Sequence, residues 1–315
     1  MKTFLKFVAG LGLAIALLAA FIQFAPLAEN DIPYPEVTIS NDSAVLARGE
    51  YLVFGPAHCV ECHRRPEDSV ALSQGAKVAL AGGALFDLPF AKVYVPNLTP
   101  DPETGIGNIE NGAIARAMRF ATNHNGNTMM PFMPFTHMCE YDVSAIISYL
   151  RAQQPVKNEI PKTEYTFLGK ALNRFLLKPY KQTEPILAGV EEGATVEYGA
   201  YLANNVANCK GCHTVFDLEK MEYTGVPLAG GGEFVERKHA FKTPNLTPDP
   251  KTGHIYKWSE DVFVSRFRAG RVYEDSPMPW EAFKTMSDQD IRAIYKYLRS
   301  VPAYENKVEP VVANL

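Results

Sequence analysis

Apolar residues at helical spacing predict one long helix near the end of each half of the chain. Each set occupies positions i, i+3, i+4 and i+7, which places its members on one face of a helix. Ser287, three residues before Asp290, predicts an N-cap for the second helix. No alternating strand pattern of useful length accompanies them, so the predicted fold class is mainly α. The two sets are Val143, Ile146, Ile147 and Leu150, and Ile291, Ile294, Tyr295 and Leu298.

A shorter helix is predicted at the start of each half. The first begins at Asp42 or Ser43, and its counterpart begins at about Thr195. Asp, Ser and Thr favour the N-cap position because their side-chain oxygens accept hydrogen bonds from the first helical turn. Gly- and Pro-rich segments predict loops between the helices, over residues 79–107 and 225–253.

The N-terminal segment predicts a membrane anchor. Lys2 and Lys6 precede an uncharged run of nineteen residues, 7–25, about the length that spans a bilayer as a helix. A cleaved secretory signal has the same charged start and apolar stretch. The anchor is favoured because a small-x-small cleavage site is poorly formed at both Ala20 and Ala28. Either reading exports the rest of the chain, so the folded part is predicted to face the periplasm. The favoured anchor makes the predicted location the bacterial inner membrane.

Several blocks of the chain recur at nearly constant separation. The shift is 150 residues for the first pair and 148 for the others, and the third block returns unchanged as Pro-Asn-Leu-Thr-Pro-Asp-Pro. A period this long indicates a duplicated domain and not a solenoid. The matched blocks are 48–52 with 198–202, 80–83 with 228–231, and 96–102 with 244–250.

The repeat divides the chain into four parts. Residues 1–28 form the predicted anchor, 42–155 the first domain, 156–190 a connector and 191–305 the second domain. The tail beyond Ala303 carries no strong signal.

The connector contains an amphipathic helix with basic residues. Such a helix is compatible with a membrane surface. Packing of the apolar stripe against one of the domains is more common and is the arrangement predicted here. The apolar residues are Phe167, Leu168, Ala171, Leu172, Phe175 and Leu176, and the basic ones are Lys170, Arg174 and Lys178.

The pentapeptide Cys-x-x-Cys-His occurs once in each half, at 59–63 and 209–213. Two thiols at this spacing can each form a thioether to one porphyrin vinyl group, and the adjacent histidine then reaches the iron. Zinc knuckles and thioredoxin-like pairs fit less well, because the fifth cysteine, Cys139, stands alone and is expected to be a buried apolar residue. The predicted attachment residues of two covalent haems are Cys59, Cys62, His63, Cys209, Cys212 and His213.

Met130 and Met278 are the predicted sixth ligands of the two irons. Methionine is the axial ligand that raises the potential of an electron-transfer haem. The two residues are 148 positions apart, and each precedes a proline and lies five residues before a phenylalanine. Core packing is the alternative role, and Met129 and Met133 compete for the first site. The histidines without a counterpart in the repeat are expected to be surface or satisfied side chains: His58, His124, His137, His239 and His254.

These motifs resemble those of membrane-bound multihaem c-type cytochromes, in particular the cytochrome c subunits of periplasmic alcohol, gluconate and sugar dehydrogenases. The Cys-x-x-Cys-His, Pro-Asn-Leu-Thr-Pro-Asp and Met-Pro-aromatic segments carry the resemblance, which covers about residues 42–303. It implies two tandem cytochrome c domains after an N-terminal transmembrane helix, with two covalently bound haem c groups. It also implies that Asn97 and Asn245 contact a haem propionate.

The resemblance implies an electron carrier without catalytic residues. Electrons would pass in a periplasmic or membrane respiratory chain from a dehydrogenase toward a terminal oxidase or another cytochrome. A dihaem peroxidase is the alternative, but it needs two unlike haem sites, and both halves here carry the same loops. The formal net charge of -4 gives no reason to expect nucleic acid as a partner.

Overall fold

Helices form most of the regular structure of the chain. The computed structural model describes residues 1–133, 135–217, 222–236, 239–273 and 275–309, and the backbone of 312–314. The α-helices are α1 Lys2–Phe24, α2 Ser43–Phe54, α3 Cys59–His63, α4 Ser69–Ser73, α5 Asn111–Phe120, α6 Glu140–Ala152, α7 Phe167–Phe175, α8 Val196–Tyr201, α9 Cys209–Cys212, α10 Glu260–Arg268, α11 Trp280–Phe283 and α12 Asp288–Ser300. A 3₁₀ turn at Pro66–Asp68 and a π-helical turn at Leu202–Val206 complete the set among these residues.

Short antiparallel strands accompany the helices, and four of them lie within the predicted loops 79–107 and 225–253. One sheet has the order β1-β2-β3, a two-stranded ribbon joins β4 to β5, and a third sheet has the order β6-β7-β8. Strands of two to four residues are too short to leave an alternating pattern in the sequence, which is why they were not predicted. Their bounds are β1 Leu85–Leu88, β2 Ala91–Tyr94, β3 Glu164–Tyr165, β4 Phe216–Asp217, β5 Glu222–Tyr223, β6 Glu233–Glu236, β7 His239–Lys242 and β8 Val312–Asn314.

The predicted helix starts are confirmed by their caps. The Asp42 carboxylate accepts backbone N–H bonds from the first turn of α2. The Thr195 hydroxyl accepts from the N–H of Tyr198 at 3.1 Å, and the Ser287 hydroxyl accepts from the N–H of Asp290 at 3.1 Å. Each bond satisfies an N–H that the helix itself leaves without a partner.

The first and last helices of each half cross at a glycine. A Cβ atom on Gly49 of α2 would lie 2.0 Å from the carbonyl oxygen of Ala145 in α6. The equivalent atom on Gly199 of α8 would lie 1.9 Å from the carbonyl oxygen of Ala293 in α12. Only a residue without a side chain allows the two backbones to approach this closely. The recurrence of glycine in the block at 48–52 and 198–202 therefore has a packing cause.

The tyrosine of the same block joins the two halves. The Tyr51 hydroxyl donates to the Asp290 carboxylate at 2.6 Å and accepts from the N–H of Ser287 at 3.0 Å. In the reverse direction, the Tyr201 hydroxyl donates to Asp142 at 2.7 Å. It also accepts from the N–H of the residue that precedes α6, at 3.2 Å. Each tyrosine thus caps the last helix of the opposite half.

The two tyrosine–aspartate contacts differ, because an arginine accompanies only one of the two aspartates. Arg48 donates to Asp142 from Nε at 2.8 Å and from a terminal nitrogen at 2.9 Å, and its third nitrogen donates to the Tyr198 hydroxyl at 3.2 Å. Tyr198 occupies the repeat position of Arg48, so the carboxylate of Asp290 has no arginine equivalent to that of Asp142. Among the residues described, Tyr51 is the side chain that donates to the Asp290 carboxylate, and Asp290 is 2% exposed.

One hydrophobic core runs through both halves. It contains the inward faces of the four crossing helices, and the apolar spacing predicted for α6 and α12 is confirmed by the burial of their residues. Cys139 is 1% exposed, which agrees with the apolar role predicted for it. The contribution of these side chains is mainly removal of apolar surface from water.

The prediction for the connector helix is wrong. The buried residues of α7 are Gly169 and Asn173. Four of the six apolar residues of the predicted stripe are exposed, and Ala171 and Leu172 are half-buried. The helix faces the first half with its small and polar side. The exposed members of the stripe are Phe167, Leu168, Phe175 and Leu176.

We expect Tyr51→Phe to destabilise the protein more than Tyr201→Phe. Loss of the Tyr51 hydroxyl leaves the buried Asp290 carboxyl without its side-chain donor, which costs about 2 kcal/mol of unfolding free energy. Loss of the Tyr201 hydroxyl costs about 1 kcal/mol, because Asp142 keeps both bonds to Arg48. Urea denaturation followed by absorbance measures both values. Equal losses would contradict the assigned role of Arg48.

Candidate haem sites

Both Cys-x-x-Cys-His segments form short helices that start from a left-handed residue. His58 precedes α3 with φ 43°, and Asn208 precedes α9 with φ 53°. Asn and His adopt this conformation more readily than most residues with side chains. It turns the chain abruptly out of the preceding helix, so that each pair of cysteines lies one turn apart on the following short helix.

The motif cysteines are not joined by disulfides, and burial disfavours the thiolate forms of Cys59 and Cys209. Cys59, Cys62 and Cys209 are half-buried, and Cys212 is exposed. Burial raises the pKa of Cys59 and of Cys209 to about 12. A zinc site or a reactive redox pair needs thiolates of lowered pKa. Among the residues described, no group of three or more His, Cys, Asp or Glu side chains is placed to hold a metal ion, so the zinc alternative has no geometric support there.

Each motif histidine is oriented by a prolyl carbonyl. The Nδ1 atom of His63 lies 3.0 Å from the carbonyl oxygen of Pro96, and that of His213 lies 3.0 Å from the carbonyl oxygen of Pro244. A carbonyl oxygen can only accept, so the proton is on Nδ1 and the lone pair is on Nε2. Neither Nε2 atom has a hydrogen-bond partner within the described part of the chain.

Burial keeps both imidazoles neutral. It lowers the pKa of His63 to about 4 and that of His213 to about 4. A neutral ring with a free Nε2 and a bonded Nδ1–H is the form in which histidine ligates iron, with the carbonyl as the outer partner that fixes the ring. The donor set in each half therefore fits a covalently attached haem.

A glycine holds each histidine beside its proline. The N–H of Gly82 donates to the carbonyl of His63 at 2.7 Å, and the N–H of Gly230 donates to that of His213 at 2.9 Å. Gly82 has φ 73°, and a Cβ atom there would lie 2.5 Å from the carbonyl carbon of Pro96. The Leu-Ala-Gly-Gly block thus recurs because a side chain at this position would displace the proline carbonyl.

The Pro-Asn-Leu-Thr-Pro-Asp segment is a self-bonded loop. The Asn97 side-chain oxygen accepts from the N–H and the hydroxyl of Thr99 at 2.9 and 2.8 Å. Its amide nitrogen donates to Thr104 at 3.2 Å and to the carbonyl of Val156 at 2.8 Å. All of these partners are protein groups, so the amide fixes the loop that follows Pro96. The propionate contact implied by the resemblance stays a prediction.

The second half repeats this loop bond for bond. Asn245 accepts from Thr247 at 2.9 and 2.8 Å and donates to Thr252 at 3.0 Å and to the carbonyl of Tyr304 at 2.8 Å. It is 1% exposed. The two loops are held by the same hydrogen bonds over both copies of the repeat.

An asparagine outside the predicted site residues closes the loop in each half. The amide of Asn158 donates to the carbonyl of Ala81 at 2.8 Å, and that of Asn306 donates to the carbonyl of Ala229 at 2.8 Å. The tail beyond Ala303 was predicted to carry no strong signal, yet it supplies Asn306. The 148-residue shift between the two asparagines was the available signal.

The two predicted methionine ligands lie in equivalent turns. The carbonyl of Met130 accepts from the N–H of Phe132 at 2.8 Å, and that of Met278 accepts from the N–H of Trp280 at 2.8 Å. Both side chains are half-buried. Met278 packs against the core, as does Met133, the competitor in the first half.

A second methionine pair also matches at the 148-residue shift and was missed. Met138 is 0% exposed and Met286 is 1% exposed, and both are members of the core. These residues have the packing role that was considered for Met130 and Met278.

The remaining histidines have protein partners or are exposed. His58 Nδ1 lies 3.1 Å from the carbonyl of Pro56, and the Nε2 atom of His137 lies 3.1 Å from the Thr183 hydroxyl. The side chain of His239 is 24% exposed and lies beside a carboxylate. His124 and His254 are exposed. The surface or satisfied role predicted for these five residues agrees with their positions.

The first Cys-x-x-Cys-His segment contacts the second half close to Met278. The Glu61 carboxylate accepts from the N–H of Ala282 at 3.0 Å, and the rings of His58 and Phe283 meet edge to face with centroids 5.5 Å apart. Glu61 lies between the two cysteines of its motif, and Ala282 lies four residues after Met278. The two candidate sites are therefore neighbours within one packed structure.

The chain is similar to subunits of several dehydrogenases. It is 30% identical to a nicotinate dehydrogenase subunit of Pseudomonas putida, over 98% of this chain and 25% of that protein. It is 27% identical to the fructose dehydrogenase cytochrome subunit of Gluconobacter japonicus, over 82% of this chain and 53% of the relative. A dihaem cytochrome c-type protein of Cereibacter sphaeroides is 29% identical over 82% of this chain and 86% of its own length.

These relatives confirm the resemblance to dihaem and dehydrogenase-associated cytochrome c subunits, and they support covalently bound haem c as the cofactor. It spans a quarter to about half of the length of the first two relatives. No family model matches the chain.

We expect Gly82→Ala to perturb one haem and leave the other unchanged. The added methyl group would push the Pro96 carbonyl away from His63 and weaken the bond that orients the imidazole. A potentiometric titration should show one midpoint potential shifted and the second unchanged. Gly75→Ala is the matched control, because Gly75 also has positive φ, at 88°, but its added methyl group would have no neighbouring atom within 4 Å. Equal shifts in both variants would show that backbone strain alone is responsible.

Proposed function

We propose that the chain is a membrane-anchored dihaem cytochrome c that transfers electrons. The observation that carries this proposal is the pair of motif histidines whose Nδ1 atoms are each held by a prolyl carbonyl, with Nε2 left free. The proposed thioether residues are Cys59, Cys62, Cys209 and Cys212, and the proposed axial ligands are His63 with Met130 and His213 with Met278.

Bound haem c would supply a one-electron iron couple. The residues of the chain would orient the axial imidazole, exclude water and limit reorganisation around the site. The loop bonds of Asn97 and Asn245 support orientation, since both amides are buried and bonded to protein groups on every side described. None of these roles needs an acid, a base or a nucleophile.

The two sites are proposed to lie in tandem cytochrome c domains, 42–155 and 191–305. Matched caps, crossing glycines and loop hydrogen bonds in the two halves support this division. Asn158 and Asn306 extend the first proposed unit by three residues and the second by one residue at the carboxyl end. The likeness of the two halves also disfavours a dihaem peroxidase, in which the two sites must differ.

The proposed donor is a dehydrogenase at the outer face of the bacterial inner membrane. The relatives include subunits of nicotinate and fructose dehydrogenases, which supports a dehydrogenase as partner. Helix α1 is long and apolar enough to cross a bilayer and lies near the N-terminus, as an anchor or a signal sequence would. Retention of this helix would hold the haem domains in the periplasm, where they could pass electrons on to an oxidase or another cytochrome.

We expect Met278→Ala to remove the methionine-to-iron charge-transfer band of one haem and to lower its potential. Loss of the methionine sulfur removes only an axial ligand of the iron. The covalent attachment of the haem stays intact, because the cysteines and the histidine are unchanged. Optical spectra of the oxidised protein and a redox titration measure both effects.

Met286→Ala is the matched control. Its side chain is buried in the core at 1% exposure, so truncation should cost about 2–5 kcal/mol of unfolding free energy and leave the band in place. An unchanged spectrum for Met278→Ala, or a lost band for Met286→Ala, would refute the ligand assignment.

A further inference from the structure

The connector helix α7 meets the first half of the chain through its small and polar face. A Cβ atom on Gly169 would lie 1.9 Å from the carbonyl oxygen of Phe90, at the turn between β1 and β2. The amide of Asn173, one helical turn later, donates to the carbonyl of Thr128 at 3.1 Å. Contact this close fixes α7 as a rigid part of the first half, and it determines which side of the helix faces outward.

The outward side of α7 is apolar. Phe167, Leu168, Phe175 and Leu176 have exposed fractions of 50%, 58%, 50% and 56%. Leu168 and Phe175 are seven residues apart and lie on one stripe of the helix. Several large apolar side chains exposed together mark a surface that another apolar phase or molecule covers.

The basic side chains of α7 bind the end of α1. Lys170 donates to the carbonyl of Gln23 at 2.7 Å, and Arg174 donates to the carbonyls of Ala25 and Pro26 at 2.9 and 2.8 Å. The Arg174 guanidinium also lies 4.5 Å from the centre of the Phe21 ring. The last carbonyls of a helix have no partners within it and carry partial negative charge. Lys170 satisfies one of these carbonyls and Arg174 satisfies the two carbonyls just after the helix, and together they hold α7 against the end of α1.

The end of α1 is the level at which a spanning helix leaves the bilayer. Its 23 residues extend about 34 Å at 1.5 Å per residue, close to the roughly 30 Å of the hydrocarbon core. Lys2 lies at the opposite end, on the side that positive residues favour. Helix α7, bound to residues 23–26, therefore lies at the outer interface between lipid and water, with its apolar stripe continuous with the lipid-facing surface of α1.

We propose that α7 is an interfacial helix whose apolar stripe lies in the outer leaflet of the membrane. Its occupant is lipid, because the stripe adjoins a helix surface that is itself exposed and apolar. The inference rests on the proposed membrane anchor. Two attachments, α1 and α7, hold the first half in one orientation on the bilayer, whereas α1 alone would let it tilt.

Spin-label accessibility in lipid vesicles tests this arrangement. Single cysteines replace Leu168 and Phe175 in the full-length haem-loaded protein, reconstituted in vesicles of phosphatidylethanolamine and phosphatidylglycerol without any partner protein. The native Cys139 is 1% exposed and is not expected to be labelled. We expect both labels to collide with oxygen more readily than with a water-soluble nickel complex, as a label in lipid does.

Two further labels serve as references. Leu13→Cys, in the middle of α1, reports the bilayer interior, and Val262→Cys, half-exposed on α10, reports water. The proposal would be overturned if the labels on α7 collided with the nickel complex as readily as the Val262→Cys label does, while the Leu13→Cys label was in lipid. A partner subunit would then be the molecule that covers the stripe. That result would not affect the electron-transfer function, which unchanged haem spectra in all four variants would confirm as intact.

Discussion

A hydrogen bond between a histidine Nδ1 and a prolyl carbonyl, made once in each half, is the constraint on which both sites depend. The neighbouring structure serves to hold the proline in place. Gly82 allows Pro96 to approach His63, and the amide of Asn97 fixes the loop that follows the proline. A buried imidazole that is neutral, held at Nδ1 and open at Nε2 can act as an axial ligand without rearrangement. The same groups recur at the second site, so both histidines are held by the same hydrogen-bonding arrangement.

The association of the two halves rests on a different kind of interaction. Tyr51 and Tyr201 each reach across to the N-terminus of the opposite last helix, where a buried carboxylate accepts the hydroxyl proton. Reciprocal exchange of this kind ties the position of one site to that of the other. Arg48 makes the two contacts unequal, because it pairs with Asp142 and Asp290 has no equivalent arginine. The first attachment loop also contacts the second half through Glu61, so the sites differ in their surroundings even where their bonds agree.

The sequence predicted features that are repeated or periodic. The start of α2, the caps at Thr195 and Ser287, and the apolar faces of α6 and α12 follow from spacing and from N-cap chemistry. The short strands could not be predicted, because two to four residues leave no period. Pairing of Tyr51 with Asp290 depends on how the halves meet, and no local pattern contains that information. The outward stripe of α7 was mispredicted because amphipathic spacing identifies an apolar face without saying what covers it. Asn158 and Asn306 lay outside the blocks that revealed the repeat, although the same shift relates them.

The central claim is that two equivalent six-coordinate sites make this chain an electron carrier. Optical and paramagnetic-resonance spectra of the oxidised and reduced membrane protein, recorded with and without carbon monoxide and peroxide, test it most directly. We expect two low-spin haems, each with a methionine-to-iron charge-transfer band, and neither should bind an added ligand. A high-spin or bis-histidine haem that opens to peroxide on half-reduction would contradict this account and would make the protein an enzyme.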